Sequence, residues 1–135
     1  MKKRTKLCDR ILPAYSVGEE RMNMITHVVG AGLSVAALLM CVIRAAWRQN
    51  GWGVAASVIY GISLISLYTV SGVYHGLKCG TAKKVMQVMD HCTIYFLIAG
   101  SYTAVVLSAL RPVYPTIGWG LFGFVWALTA LAVTA

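Results

Sequence analysis

Carboxylates are scarce in this sequence: Asp and Glu together number 4 in 135 residues, and charged residues of both signs make up only 12%. An ordinary soluble domain carries about 25%, so a water-facing globular protein is excluded. Strict apolar and polar alternation is missing too, which excludes a membrane barrel of tilted strands. The 4 cysteines, Cys8, Cys41, Cys79 and Cys92, contain no CxxC pair, and no disulfide framework is implied. The 3 prolines, Pro13, Pro112 and Pro115, mark a leader and a turn and leave the middle of each apolar run unbroken. No internal repeat or low-complexity tract interrupts the chain, and no stripe of charge is long enough to line a water-filled pore.

What remains is apolar: hydrophobic residues make up 59% of the chain. Residues 22–43, 49–77, 91–110 and 112–135 carry no formal charge. Each run reaches the roughly 20 residues that a helix needs to cross the hydrocarbon core. Only an internally hydrogen-bonded helix satisfies its backbone in lipid without neighbouring strands. The fold class expected is therefore all-α, a polytopic transmembrane bundle. A basic leader over 1–18 precedes a helical domain over 19–135, with helices at about 19–47, 52–77, 85–110 and 113–135. Glu19 and Glu20 suit the positive end of the first helix. Gln49-Asn50-Gly51 makes a tight turn flanked by Trp47 and Trp52, whose rings favour the membrane interface.

The net charge of +8 resides in the connections between apolar runs, so it reports topology and does not point to nucleic acid. Lys2, Lys3, Arg4, Lys6, Arg10 and Arg21 precede the first helix, and Lys78, Lys83 and Lys84 lie between the second and third. Only Arg44, Arg48 and Arg111 fall on the opposite side. The positive-inside rule then predicts a multi-pass protein of the cell membrane with its N-terminus in the cytoplasm. The first apolar run is too long for a signal peptide and lacks a small-residue cleavage site, so it is expected to be retained. Cys8 and Cys79 fall on the side where thiols stay reduced.

Polar residues inside apolar helices need a partner or a task. Glu20, Asn23, His27, Gly30 and Ser34 are spaced 3, 4, 3 and 4 apart, which puts them on one stripe expected to face protein. Gly30, Ala31, Gly32, Ser34 and Gly61 let helices approach closely. Tyr68, Ser71 and His75 share a face of the second helix, and Asp90, followed by His91, opens the third apolar run. Antiparallel helices bring His75 and Asp90 to the same membrane side. A Ser, a His and an Asp in a partly dry pocket suit a metal site, with the His as ligand and the carboxylate acting on a bound water. The same residues also fit interhelical hydrogen bonding, and a Ser-His-Asp nucleophilic triad is a third arrangement. His75 and Cys79, four apart, would share a metal only if the helix continued past Lys78 and Gly80.

These motifs, taken in order, resemble the hemolysin III family, akin to the progestin and adipoQ receptors that include the adiponectin receptors. The resemblance rests on Tyr15-Ser16-Val17-Gly18-Glu19-Glu20 with Asn23 and Thr26-His27, on SGVYH from Ser71 to His75, and on Asp90-His91 with Ile94-Tyr95 and Ile98 to Thr103. It covers about residues 15 to 111. It implies a seven-helix family fold, of which four helices stand here, with a zinc site toward the cytoplasm. By the same likeness His75 is a zinc ligand, and Ser71 and Asp90 stand near the metal-bound water. Relatives in the wider group are similar to ceramidases and other metal-dependent amide hydrolases acting on lipids.

Two departures accompany the likeness. Ala104 stands where the family usually has a proline, and the family's other two ligands, an H-x-x-x-H on its last helix, do not occur in these residues. The fourth apolar segment ends at Ala135 without a closing loop or charged anchor, so a partial chain is expected; standing alone, it would be metal-free and inactive. Three functions follow. One is a contribution to zinc-dependent hydrolysis of a lipid-like amide, with membrane lipids as partners. The second is a pore-forming cytolysin or channel, as the family name implies. The third is a truncated membrane protein without activity.

Overall fold

The computed structural model describes residues 6–134, so Lys2, Lys3 and Arg4 of the basic leader lie outside the described residues. A short 3-10 turn at Leu7–Asp9 precedes four helices: α1 (Val17–Trp47), α2 (Gly51–Gly76), α3 (Thr81–Val105) and α4 (Pro115–Thr134). Each of the four is long and apolar enough to cross a membrane, α3 together with the turn of π-helix that extends it to Leu110. Strands are absent among the described residues.

Local chemistry sets the helix ends. Ser16 and Glu19 form a reciprocal cap: the Ser16 hydroxyl accepts from the Glu19 amide at 3.3 Å, and the Glu19 carboxylate accepts from the Ser16 amide at 2.7 Å. Two of the four amides that open a helix without internal partners belong to groups of this kind. At the far end of α1, Gln49 adopts a left-handed φ of 52°. Asn50 then starts α2, its side-chain oxygen accepting from the Gly53 amide at 2.9 Å. Pro115 takes the first position of α4, where its missing amide hydrogen costs nothing.

The start of α3 departs from the charge pattern. Lys83 and Lys84 were expected in a loop before a helix at about residue 85, yet α3 begins at Thr81. Lys83 belongs to the first helical turn because its ammonium is buried against protein and does not reach for water. At the other end α3 continues smoothly through Ala104 and then widens, the Arg111 amide donating to the Val106 carbonyl at 2.8 Å across a π-helical turn.

The helices pack in sequence, α1 on α2, α2 on α3 and α3 on α4. Glycines set two of the closest approaches: a side chain on Gly30 would meet the Tyr68 ring at 2.8 Å, and one on Gly61 would meet Leu38 Cβ at 2.9 Å. Gly32, expected to serve the same purpose, faces open space, since it lies off the stripe that meets α2. Trp126 Nε1 donates to Thr103 Oγ1 at 3.0 Å and ties α4 to α3. Ser34 is the buried residue of α1, while Leu33, Leu39, Met40 and Ile43 on the same helix are exposed. An apolar surface of that extent suits lipid or further membrane protein.

Candidate functional site

The start of α1, the end of α2 and the start of α3 converge on one carboxylate. Glu20 Oε2 lies 2.7 Å from His75 Nδ1, and its Oε1 accepts from Lys83 Nζ at 2.6 Å. Lys83 also donates to the Leu77 carbonyl at 3.1 Å and lies 5.0 Å from the centre of the Tyr74 ring. At 3% exposure its ammonium has little water, and the cost of burying it is met by these partners. One residue from each of three helices is therefore fixed by a shared charge network.

Around His75 the walls are aromatic. Tyr74 stands at 4.8 Å between ring centres, and Tyr15 and His27 each at 5.8 Å, all with edge-on geometry. His27 also meets the Tyr68 ring edge-on at 5.6 Å. Its Nδ1 is buried with no hydrogen-bond partner among the described residues. Nitrogens buried in that way are uncommon, and a water or an ion is one way to satisfy them. The stripe from Glu20 to Ser34 thus faces protein, as its spacing predicts.

Of the expected site residues, the structure gives His75 a carboxylate partner other than the one expected. Ser71 is buried on α2, one turn before His75. Asp90 is half-buried in the first half of α3. The carboxylate hydrogen-bonded to His75 is that of Glu20, supplied by α1, where the helix order suggested Asp90. His91 turns back along its own helix, with Nδ1 2.6 Å from the Gln87 carbonyl. Cys79 is exposed and follows the end of α2 at Gly76, so the fourfold spacing from His75 is not helical.

Lys83 is the member of this charge network that the sequence does not reveal. It reads as a topology marker because a lysine beside Lys84 and a glycine resembles a solvated turn. Its signal is a spacing of 4 and 3: Lys83, Gln87 and Asp90 fall on one face of a helix, and Lys83 and Gln87 are both buried.

The donor set suits one ligand of a metal. A metal-binding histidine commonly gives its second ring nitrogen to a carboxylate, which fixes the ring, and Glu20 does this for His75 Nδ1, so Nε2 is the atom that a metal would take. Among the described residues no three His, Cys, Asp or Glu side chains gather closely enough to hold a metal ion. A complete site at His75 would thus need ligands from outside these four helices.

Comparison with known proteins gives a consistent picture. The family model described as Haemolysin-III related matches residues 15–135. The chain is 38% identical to Hemolysin-3 of Bacillus cereus over 83% of its own length and 50% of that protein. It is 36% identical to the Hemolysin-3 homolog of Bacillus subtilis (strain 168) over 84% and 52%. It is 29% identical to the human monocyte to macrophage differentiation factor over 83% and 47%. The chain therefore spans about half the length of the curated relatives it matches. No solved structure matches it significantly.

Proposed function

The chain belongs to the haemolysin-III related family, and from that premise we propose that its four membrane helices supply the His75 side of a zinc site for hydrolysis of a lipid-like amide. The observation that supports this reading most directly is the 2.7 Å contact between Glu20 and His75, which orients the imidazole as a ligand is oriented. His75 would hold the metal, with further ligands supplied by protein beyond these helices. Zinc, when bound, would supply a polarised water at neutral pH.

The surrounding residues divide the remaining tasks. Glu20 holds the His75 ring, and Lys83 holds Glu20. Asp90 is the carboxylate for moving a proton at the substrate, since Glu20 is already engaged by two cations or donors. Ser71 and His27 Nδ1, which has no partner among the described residues, offer polar contacts inside an otherwise apolar wall. That wall of Tyr15, Tyr68 and Tyr74 suits an acyl chain and keeps bulk water out. The excess of Lys and Arg at this end supports a cytoplasmic position for it.

Metal analysis of the protein expressed from its complete locus tests the reading. Bound zinc should vanish in His75→Ala, and Glu20→Gln should weaken binding by roughly 10- to 100-fold, the usual effect of losing a carboxylate behind a histidine ligand. A folded protein that binds no zinc, or whose zinc is indifferent to His75→Ala, would refute it. The name of the Bacillus relatives makes membrane lysis the competing function, and solute release from liposomes on adding the protein would favour it.

A further inference from the structure

The end of the bundle opposite His75 carries a second feature, independent of the zinc reading. A cleft of about 700 Å³ opens between α1 and α2 and reaches Ala104 and Ser108 at the end of α3. Its floor is apolar, with Leu38 and Leu64, and Arg44, Arg48 and Asn50 also line it. Arg44 stands in the last turn of α1 and Arg48 is the residue that caps it, and both line the cleft. They are exposed.

No carboxylate of the sequence belongs to this end. Asp9, Glu19 and Glu20 precede or open α1, and Asp90 lies in the first half of α3, toward His75. The third arginine at this end stacks on aromatic rings, although its Nε is buried without a hydrogen-bond partner among the described residues: the Arg111 guanidinium lies 3.8 Å from the centre of the Trp52 ring and 5.8 Å from that of Trp119. Such stacking over aromatic faces is favourable for a cation without an anion. Arg44 and Arg48, by contrast, stand at a cleft with apolar walls, and their forked donors match a phosphate in two-point contact.

We propose that this cleft binds an anionic phospholipid, its phosphate held by Arg44 and Arg48 and the upper part of an acyl chain lying against Leu38 and Leu64. Asn50 spends its side-chain oxygen on the Gly53 amide, which leaves its nitrogen as the donor for a headgroup hydroxyl or ester. The physical basis is the pairing of two uncompensated cations with an apolar slot, a combination that a lipid anion satisfies and a neutral lipid does not.

The test is tryptophan quenching in vesicles of phosphatidylcholine into which brominated phosphatidylglycerol or brominated phosphatidylcholine is titrated, since Trp52 adjoins the cleft-lining Gly53. Phosphatidylglycerol should quench at lower mole fraction, with each arginine contributing roughly fivefold to the preference. Arg44→Gln with Arg48→Gln should bring the two curves together, while Arg44→Lys with Arg48→Lys should keep most of the difference. Superimposable curves for the unaltered protein would overturn the proposal, as a further protein segment filling the cleft would produce. So would a preference untouched by the double glutamine variant, or one abolished by adding inorganic phosphate, which would make the ligand a free anion.

Discussion

Lys83→Met keeps the aliphatic stem and deletes the ammonium, leaving the Glu20 carboxylate with His75 alone. Removing one member of a buried ion pair costs roughly 3 kcal/mol or more, because the remaining charge stays desolvated. Thermal or denaturant unfolding in detergent should show that loss, and Glu20→Gln added to Lys83→Met should recover much of it. A single variant that unfolds like the parent would mean that Lys83 is solvated. His27→Phe should behave differently: it keeps the edge-on packing against Tyr68 and removes a buried nitrogen that has no partner among the described residues. Its stability should stay within about 1 kcal/mol of the parent, so a change in the proposed zinc binding in that variant would not be a folding effect. At this scale the sequence was partly legible. His75 and Glu20 stand out as polar residues at membrane depth, and the structure joins them in one contact, whereas Lys83 is hidden by its position next to a turn.

The helices themselves make predictions through their contacts. Gly100 packs against α2 so closely that an added Cβ would collide with the Ser63 hydroxyl and stand 3.0 Å from Ser63 Cβ. The Ser63 hydroxyl donates to the Tyr60 carbonyl at 2.7 Å, and its Cβ cannot rotate away. Gly100→Ala should therefore destabilise the α2 and α3 pair by roughly 1–3 kcal/mol, the usual cost of overpacking. Gly32→Ala is the matched control: its added methyl meets nothing within 4 Å, so the better helix propensity should leave stability equal or higher by up to about 1 kcal/mol. Comparing the two unfolding curves separates contact from propensity. The spacing of small residues identified the helix that makes close contact, and only the packed structure distinguished Gly30, against Tyr68, from Gly32, against open space.

For the molecule as a whole, the positive-inside expectation becomes an accessibility test. Cys79 is exposed at the turn between α2 and α3, the side on which Lys78 and Lys84 also lie. A membrane-impermeant maleimide should fail to label it in intact cells and label it after permeabilisation. A cysteine placed at Arg48→Cys should show the reverse order. Labelling of Cys79 from outside would invert the topology and move the His75 site with it. The broad exposed apolar surface of α1 is consistent with either orientation, because lipid tails do not distinguish the two faces.

The number of helices, their membrane-crossing length and the ends where polar groups collect were determined by the sequence alone, because apolar runs and helical spacing are local properties of the chain. The family was legible for the same reason, since its motifs are short strings on single helices. Which carboxylate holds His75 was decided only by the tertiary structure. Glu20 lies in the first turn of α1 and Asp90 in the first half of α3, each is compatible with helix order, and the choice depends on how α1 leans against α2 and where the buried Lys83 ammonium finds its oxygen. Contacts between residues some 55 and 63 positions apart arise from helix packing, and periodicity within one helix carries no information about them.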